Sequence, residues 1–413
     1  MNSKNNFLSC VMFAGFSAIT CVAAAQGIIN NGAKIIIGNG SYINGGSFLN
    51  RTGGTDGTVD LDGTFIVRGD WTNNATVSNV FVNIEPSPDG IVVFNSTIDQ
   101  HLAGSTATHF ENLRLSNGKK VLQTTNDEVN GTLYLDAILD LNKNKIIIDN
   151  DNPSSINYTS GYIKSESLPS DGLGELQWNI GDAVNTFQIP FGSGAGGRDL
   201  NIIYKTNAAG SPALGFVTFA TYPADANSSP LPTGVSSLDG LNPQYVADRF
   251  WKIEPLYSVK PEIDLTLKYT SADVDAGNNP GIDETALKLI RYNNDLSRWI
   301  DAGPFGTDNP AMKTVTATGI GTADFFPDWT LYSRSLVPNA FTPDGDGKND
   351  FFAKGFDLKI INQWGQELYS GPDGWDGNFK GKPVSPGTYY YIITEHGDNN
   401  NTTTLKGSVL LIR

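Results

Sequence analysis

Short apolar segments separated by Gly and Asn fill the first third of this chain and restrict its fold more than any other feature. They lie at residues 35–37, 59–61, 65–67, 91–94, 113–115, 133–135 and 146–148. No helical periodicity accompanies them, and many short strands at short spacing predict an all-β solenoid or sandwich. Stacked right-handed β-helix-like rungs are favoured for residues 26–155, because the Gly- and Asn-rich breaks are typical of tight corners.

Longer strands follow in residues 156–334, which we predict to form a β-sandwich domain. Residues 263–269 and 286–292 alternate between apolar and polar side chains, as half-buried antiparallel strands do. Trp251, Trp299 and Trp329 fall near strand positions. We interpret them as core aromatics of an immunoglobulin-like sandwich. A binding platform of exposed tryptophans is the alternative.

Residues 335–413 predict a small β-sandwich domain with dense turn chemistry. Asp and Gly alternate from Pro343 to Gly347, and Gly reaches the positive φ angles that such turns require. Strands are indicated at residues 387–393, which are β-branched and aromatic after a Pro-Gly break, and at residues 405–412. The second of these carries the chain to its last residues, where chains normally fray unless the end is docked.

Four sequence blocks follow one another in this domain. They are Pro-Asn-Ala-Phe-Thr-Pro-Asp-Gly-Asp-Gly-Lys-Asn-Asp at 338–350, Leu-Lys-Ile-Ile-Asn-Gln-Trp-Gly at 358–365, Trp-Asp-Gly at 375–377 and Pro-Gly-Thr-Tyr-Tyr-Tyr at 386–391. In this order they resemble the gliding-motility-associated C-terminal domain, the type B sorting domain carried by cargo of the type IX secretion system. Members usually have Arg where this chain has Gln363, and longer spacers between some blocks. The resemblance covers about a fifth of the chain and concerns export rather than the activity of the passenger.

The resemblance implies recognition by the type IX translocon and by its outer-membrane shuttle or attachment barrel. The candidate sorting residues lie in the four blocks and at the chain end: Pro338, Asn339, Phe341, Pro343, Gly345, Asp346, Gly347, Asn349, Asp350, Trp364, Gly365, Trp375, Asp376, Gly377, Gly387, Tyr389, Tyr390, Leu411 and Arg413. Because residues 409–412 are consecutively apolar, both faces of the last strand require cover. We expect this strand either to dock on the export machinery or to be the central strand of the small sandwich.

Residues 1–25 predict a secretory signal peptide. Lys4 supplies the positive start, residues 7–22 are apolar, and small residues lead to cleavage between Ala25 and Gln26. Both cysteines, Cys10 and Cys21, fall inside this peptide. The mature chain therefore has no thiol for a disulfide, a thiolate metal site or a nucleophile. No other segment is long and apolar enough to predict a transmembrane helix. These features predict export through the inner membrane and periplasm.

The net charge of −15 argues against nucleic acid and anionic membranes as partners, since both require clustered Lys and Arg. Solubility outside the cell and cation binding are the two interpretations that remain. Two acidic loops are weak calcium candidates, Asp273, Asp275 and Glu284 in one and Asp344, Asp346 and Asp350 in the other. The first set falls at places one, three and twelve of an EF-hand count. An ordinary hairpin loop and a turn of the sorting domain are the alternatives, and no other cofactor is predicted.

No catalytic motif is recognisable, because a Gly-x-Ser-x-Gly elbow, a phosphate-binding loop and a His-Glu-x-x-His pair are all lacking in the sequence. We therefore predict a secreted or cell-surface type IX cargo whose passenger is a non-enzymatic adhesin or gliding-motility-associated surface component. A polysaccharide-binding or polysaccharide-degrading surface protein is the alternative, since a glycosidase carboxylate pair cannot be chosen among so many acidic residues. A surface glycan or another cell-surface molecule is the expected ligand.

Overall fold

The computed structural model describes residues 27–77, 79–82, 90–194, 197–212, 214–238, 241–275, 277–279, 281–301, 307–333, 340–345, 349–354, 357–396 and 402–413. The predicted cleavage site at Ala25 and Gln26 lies outside these residues. Strands dominate the described part, where the helical elements are short 3-10 segments at Pro153–Ser155, Pro243–Tyr245, Ala272–Val274, Glu284–Ala286 and Thr322–Asp324. The all-β prediction is confirmed. Over these same residues, no helix has the length and apolar character to span a membrane.

The N-terminal region is a β-solenoid, as predicted, with parallel strands on three faces. The first face comprises β1 (Ile28–Asn31), β4 (Phe48–Arg51), β7 (Trp71–Asn74), β10 (Gln100–Gly104), β13 (Lys120–Leu122), β16 (Leu139–Asp140) and β19 (Ile163–Lys164). The second comprises β2 (Lys34–Ile37), β5 (Thr58–Leu61) and β8 (Phe81–Val82), then β11 (His109–Phe110), β14 (Asp127–Val129), β17 (Lys145–Ile148) and β20 (Glu175–Trp178). The third comprises β3 (Tyr42–Gly45), β6 (Thr64–Val67), β9 (Ile91–Ser96), β12 (Asn112–Asn117), β15 (Leu133–Leu135) and β18 (Ile156–Tyr158).

Each turn of the solenoid stacks on the next in register. Ile28 pairs with Phe48, Phe48 with Trp71 and Trp71 with Leu102, so one turn takes 20, 23 or 31 residues. Side chains alternate between the interior and solvent along each strand, and the register stacks the interior ones in columns. The ring centroid of Trp71 lies 4.3 Å from that of Phe48 and 5.4 Å from that of Phe110. Apolar contacts between successive turns therefore form the core.

A column of asparagines occupies one corner of the first three turns. Asn30, Asn50 and Asn73 are aligned by the register and are at most 2% exposed. Asn50 Nδ2 donates a hydrogen bond to the Gly57 carbonyl at 2.9 Å, and Asn73 Nδ2 donates to the Ala107 carbonyl at 2.9 Å. The buried amides thus satisfy backbone groups where the chain changes face, which explains why Asn recurs at the breaks.

The last solenoid strand of the second face also belongs to the sheet that follows. β20 pairs in parallel with β17 and in antiparallel fashion with β23 (Phe216–Pro223). The sheet continues through β24 (Arg249–Leu256), β30 (Asp328–Tyr332), β26 (Lys288–Asn293) and β27 (Arg298–Asp301). Parallel pairing therefore extends past residue 155, and one hydrogen-bonded sheet joins the solenoid to the sandwich.

The middle region is a two-layer sandwich. Its second sheet has the order β21 (Thr186–Ile189), β22 (Ile202–Ala208), β25 (Glu262–Lys268), β29 (Thr314–Ile320) and β28 (Thr307–Asn309). Tyr204 of this sheet meets Phe219 of the other at a centroid distance of 5.5 Å. Trp251, Trp299 and Trp329 are each at most 3% exposed, as expected for core aromatics. They do not form an exposed platform.

The C-terminal unit has its own core around one five-stranded sheet. The strand order is β31 (Ala340–Phe341), β37 (Thr402–Leu411), β36 (Gly387–His396), β32 (Asp357–Ile361) and β33 (Glu367–Gly371), and β34 (Asn378–Phe379) pairs separately with β35 (Lys382–Pro383). Phe352 and Trp375, from the connecting loops, pack on one face of the sheet. The other face carries no covering layer within the described part of this unit.

A buried carboxyl group in the solenoid generates a pH dependence. Asp127 is 1% exposed, and although Thr108 N and Thr125 Oγ1 donate to its Oδ1, Oδ2 has no partner among the described residues. Burial raises its pKa from 3.8 to about 7. Between these two values the folded chain keeps a proton that the unfolded chain releases, so this group makes the free energy of unfolding fall as pH rises. Denaturant titrations at pH 5 and pH 8 should show a smaller loss in Asp127→Asn than in the unmodified protein.

The exposed Asp151 of the same region provides the control. Asp151→Asn should keep the pH dependence of the unmodified protein. Equal losses of stability in Asp127→Asn and in the unmodified protein would contradict the assignment.

Candidate functional site

Several of the sequence-predicted sorting residues form the core of the C-terminal unit. Phe341 and Trp375 are 1% and 0% exposed, with ring centroids 5.3 Å apart. Tyr389 packs edge-on against Trp375 at 4.9 Å, and its hydroxyl donates to the Ser385 carbonyl at 2.6 Å. The aromatic residues of three separate blocks therefore meet in one cluster, which is a structural role.

The Trp-Asp-Gly block is a turn fixed by its own hydrogen bonds. Trp375 Nε1 donates to the Asn378 carbonyl at 2.9 Å, and the Asp376 carboxylate accepts from the backbone N–H of Asn378 at 2.9 Å. Gly377 has φ +74°, and a Cβ there would lie 2.6 Å from Leu411 Cδ1. The glycine is thus required twice, by the left-handed backbone and by the close approach of the last strand.

The end of the chain is tied to this turn. Arg413 donates from a guanidinium nitrogen to the Gly377 carbonyl at 2.8 Å. Phe341 accepts from the backbone N–H of Ile412 at 3.1 Å. These contacts keep the last strand paired to its end. Contacts inside the unit therefore explain why this strand does not fray.

The opening block forms a loop before the sheet. Gly345 has φ +82° and donates its N–H to Asp350 Oδ1 at 2.6 Å, while the Asn349 carbonyl accepts from Thr342 N at 3.1 Å. Pro343 is half-buried beside the Trp-Asp-Gly turn. The other members of this block, Pro338, Asn339, Asp346 and Gly347, lie outside the described residues.

Two sequence-predicted residues project into solvent instead. Trp364 is 80% exposed in the turn between β32 and β33, where Asn362 Oδ1 accepts from its backbone N–H at 3.1 Å and Gly365 has φ +82°. Tyr390 is 51% exposed, because the neighbouring tyrosines of its block point to the core. Gly387, at the start of β36, pairs with Leu411.

The last strand buries alternate residues of the apolar run at 409–412. Val409 and Leu411 are at most 1% exposed, whereas Leu410 and Ile412 are each 43% exposed. Leu411, which the sequence singled out, is therefore a core residue. Its neighbours Leu410 and Ile412 were not singled out, although strand alternation from the buried Val409 would have identified them.

Four of the exposed apolar residues of this unit lie at one end of the sheet. Ile361, just before the Trp364 turn, pairs with Tyr390, and Leu410 pairs with Thr388 two residues along β36. We call the set Trp364, Tyr390, Leu410 and Ile412 the outer patch. Tyr390, Leu410 and Ile412 alternate with core residues and so lie on the face that the core does not use, and Trp364 lies in a turn at the same end. These exposed aromatic and aliphatic side chains are of the kind that protein interfaces bury.

The comparison with known families decides the identity of this unit. Residues 335–411 match the CHU_C type IX secretion signal domain. The C-terminal unit is a type IX secretion signal domain. The protein is thus cargo of the type IX secretion system, exported to the cell surface or the extracellular medium, and the secretion machinery is its partner. No curated protein and no solved structure matches the chain.

The calcium candidates of the passenger have other partners. Asp273 is 2% exposed and accepts from Arg249 Nε at 2.9 Å, while Glu284 accepts from Lys313 Nζ at 2.6 Å. Asp275 Oδ1 accepts from the backbone N–H of Gly277 at 3.0 Å. This geometry gives the calcium hypothesis no support. Nor do the described residues contain any cluster of three or more His, Cys, Asp or Glu side chains suited to a metal ion.

In the other candidate loop, Asp350 accepts from Gly345, as described above. Asp344 donates its backbone N–H to the Thr342 carbonyl at 2.9 Å, and Asp346 lies outside the described residues. The geometry of this loop is that of a turn in the signal domain.

Arg249, Glu166 and Asp273 form a charge network in the passenger. Arg249 is 3% exposed and contacts Asp273 and, at 2.8 Å, Glu166 Oε1. Burial raises the pKa of Glu166, and the Arg249 charge opposes that shift. Glu166 belongs to the segment after β19 and Arg249 begins β24, so the pair links the end of the solenoid to the sandwich. We interpret it as structural, because each buried charge has a partner.

The role of Gly377 is testable with a matched glycine. Gly381 has φ +75°, but no atom lies within 4 Å of a Cβ built there, whereas a Cβ on Gly377 meets Leu411 at 2.6 Å. Both Ala variants should cost roughly 1–2 kcal/mol for the left-handed backbone, and Gly377→Ala should cost more through crowding of the core. Hydrogen–deuterium exchange of β36 and β37 in the full chain measures the difference. Equal losses of protection would show that crowding does not matter.

Proposed function

We propose that the passenger, residues 27–334, acts at the cell surface as a non-enzymatic adhesin or motility-associated component. A signal peptide over residues 1–25 takes the chain across the inner membrane, and the signal domain then directs it through the type IX machinery. The observation that carries this proposal is the nine-stranded sheet that contains strands of both the solenoid and the sandwich. A shared sheet leaves no flexible linker at that junction, so the passenger presents its surface on a stiff support.

Contact with the export machinery is assigned to the outer patch. The buried motif residues hold the signal domain together, so a partner cannot reach them without unfolding it. Trp364, Tyr390, Leu410 and Ile412 are exposed, and Trp and Tyr are enriched where protein interfaces gain most of their energy. An outer-membrane shuttle or attachment barrel that covers this patch would shield its apolar surface from water.

Substitutions in the outer patch test docking without disturbing the fold. Leu410→Asp combined with Trp364→Ser should reduce export at least tenfold, with a melting temperature within a few degrees of the unmodified protein, because both side chains are exposed. Secreted and cell-associated protein are compared by immunoblotting, and folding is measured on purified chains.

Two single variants complete that experiment. Thr404→Asp places a charge on the same face of β37, away from the patch, and should be exported normally. Leu411→Asp buries a charge and should lose both stability and export. Normal export of a folded Leu410→Asp and Trp364→Ser protein would refute the docking assignment.

The passenger role is tested by replacing residues 27–334 with a neutral reporter between the signal peptide and the signal domain. The reporter should reach the outside of the cell, since the signal domain suffices for export. Attachment to surfaces, or spreading on agar, should fall to the level of a deletion strain, and the full chain should restore it. Unchanged attachment and spreading in the deletion strain would refute the adhesin and motility proposal.

A further inference from the structure

A small cavity opens on the outer face of the large passenger sheet, and we call it the sheet cavity. Its volume is about 260 Å³. The floor is formed by strands β23, β24 and β30, and the walls come from Pro169, Leu173, Pro232 and Pro327. These walls are apolar, whereas the floor combines Phe250 and Trp251 with charged and hydroxyl side chains. Small-molecule sites commonly place a few polar groups among apolar ones in this way.

Strand register places four polar side chains on the floor. Lys252 lies opposite Asp328, and Tyr222 lies opposite Phe250. Phe250, Lys252 and Glu254 alternate with residues of the sandwich core and so face away from it. Lys252 Nζ lies 2.9 Å from Glu254 Oε2 and 3.1 Å from Glu175 Oε1. The carboxylates of Glu254 and Glu175 already neutralise this ammonium group. The carboxylate of Asp328 therefore adds an uncompensated negative charge to the floor.

Tyr222 brings an unsatisfied hydroxyl group to this floor. The residue is 2% exposed, and its hydroxyl has no hydrogen-bond partner among the described residues. Burial raises its pKa, and the nearby charge of Asp328 raises it further. The hydroxyl is thus held as a neutral donor close to that carboxylate. A buried polar group without a partner carries a desolvation cost that a ligand can remove.

Asp328 is the second free polar group. No hydrogen bond or ion pair holds its carboxylate among the described residues, and burial raises its pKa to about 6, with the Lys252 charge opposing the shift. Its oxygens are acceptors for a donor from the ligand. A ligand that satisfies both residues must therefore accept a hydrogen bond from Tyr222 and donate one to Asp328.

This requirement favours an uncharged ligand that carries hydroxyl groups. A cationic amine would suit Asp328, but an ammonium group has no lone pair to accept from Tyr222. An anion would accept from Tyr222 but would meet the charges of Asp328 and Glu254. Neighbouring hydroxyl groups on an uncharged ring satisfy both, and the C–H face of such a ring packs on the proline walls. The volume is just below the roughly 300 Å³ at which drug-sized pockets begin, so it admits one ring rather than a chain.

We propose that the sheet cavity binds a single neutral sugar ring, as a terminal or branch unit of a surface glycan. This inference rests on the proposed surface role of the passenger and gives that role a ligand class and a site. Asp328 and Tyr222 orient the ring hydroxyls, and Pro169, Pro232 and Pro327 cover its apolar face.

Saturation-transfer NMR titrations of the mature full chain test the proposal. The probes are the methyl glycosides of glucose, galactose, mannose, xylose, fucose and N-acetylglucosamine, with glucuronate and glucosamine as charged comparators. At least one neutral glycoside should bind saturably and more tightly than either charged sugar. Tyr222→Phe and Asp328→Asn should each raise its Kd at least tenfold. Tyr222→Phe should not lower the melting temperature, because none of the described residues bonds to that hydroxyl.

Tyr204→Phe is the matched control. Tyr204 is also buried, and its hydroxyl has no partner within the described part of the chain, but it lies between the two sheets and does not line the cavity. This variant should change the Kd less than twofold. The proposal is overturned if none of the six glycosides binds, if glucuronate or glucosamine binds more tightly, or if Tyr222→Phe and Tyr204→Phe bind alike.

Failure of this inference and failure of the proposed function give different results. If the glycosides do not bind while attachment still requires residues 27–334, the cavity assignment fails and the surface role stands. If a glycoside binds as expected while deletion of the protein leaves attachment and spreading unchanged, the surface role fails and the sugar site stands.

Discussion

The structure of the passenger depends on one hydrogen-bonded ladder, that between β20 and β23. A parallel solenoid ends in exposed strand edges, and such edges promote association unless they are covered. Here Leu176, Gln177 and Trp178 pair in parallel with β17 on one side and antiparallel with β23 on the other. The sandwich therefore caps one edge of the solenoid, and the Arg249 network reinforces the same junction. Solenoid and sandwich form one continuous passenger structure.

The sequence signature of the signal domain is divided between buried and exposed residues. Most of the signature builds the aromatic cluster around Trp375, the tight turn at Gly377 and the anchor from Arg413. A unit of this size has a small core, so many of its residues are committed to structure. The exposed apolar residues are fewer, and we propose that those of the outer patch contact the partner.

The same separation of roles applies to polar groups in the passenger. Asp273 and Glu284 are acidic candidates in the sequence, but each is paired with a basic side chain. Tyr222 and Asp328 differ in that they line a cavity and find no hydrogen-bond partner for their side chains among the described residues. Satisfied buried charges maintain the fold, whereas unsatisfied groups at a cavity favour a ligand. The sheet cavity is therefore a better candidate site than either acidic loop.

The sequence by itself determined the all-β class, the solenoid-like N-terminal region and the signal domain, because strand patterning, turn residues and ordered motifs are local properties. Only the tertiary structure decided which side chains are buried, which are exposed and which line a cavity. Turns of 20, 23 and 31 residues hide the solenoid repeat, since loops of different length separate strands that pair in strict register. Likewise, the run at residues 409–412 shows apolar character but not which face is buried, and pairing with β36 sends Leu411 inward and Leu410 outward. Tyr222 and Asp328 both line the sheet cavity although more than a hundred residues separate them in the sequence. Their proximity depends on the strand order, which the local sequence around either residue does not indicate.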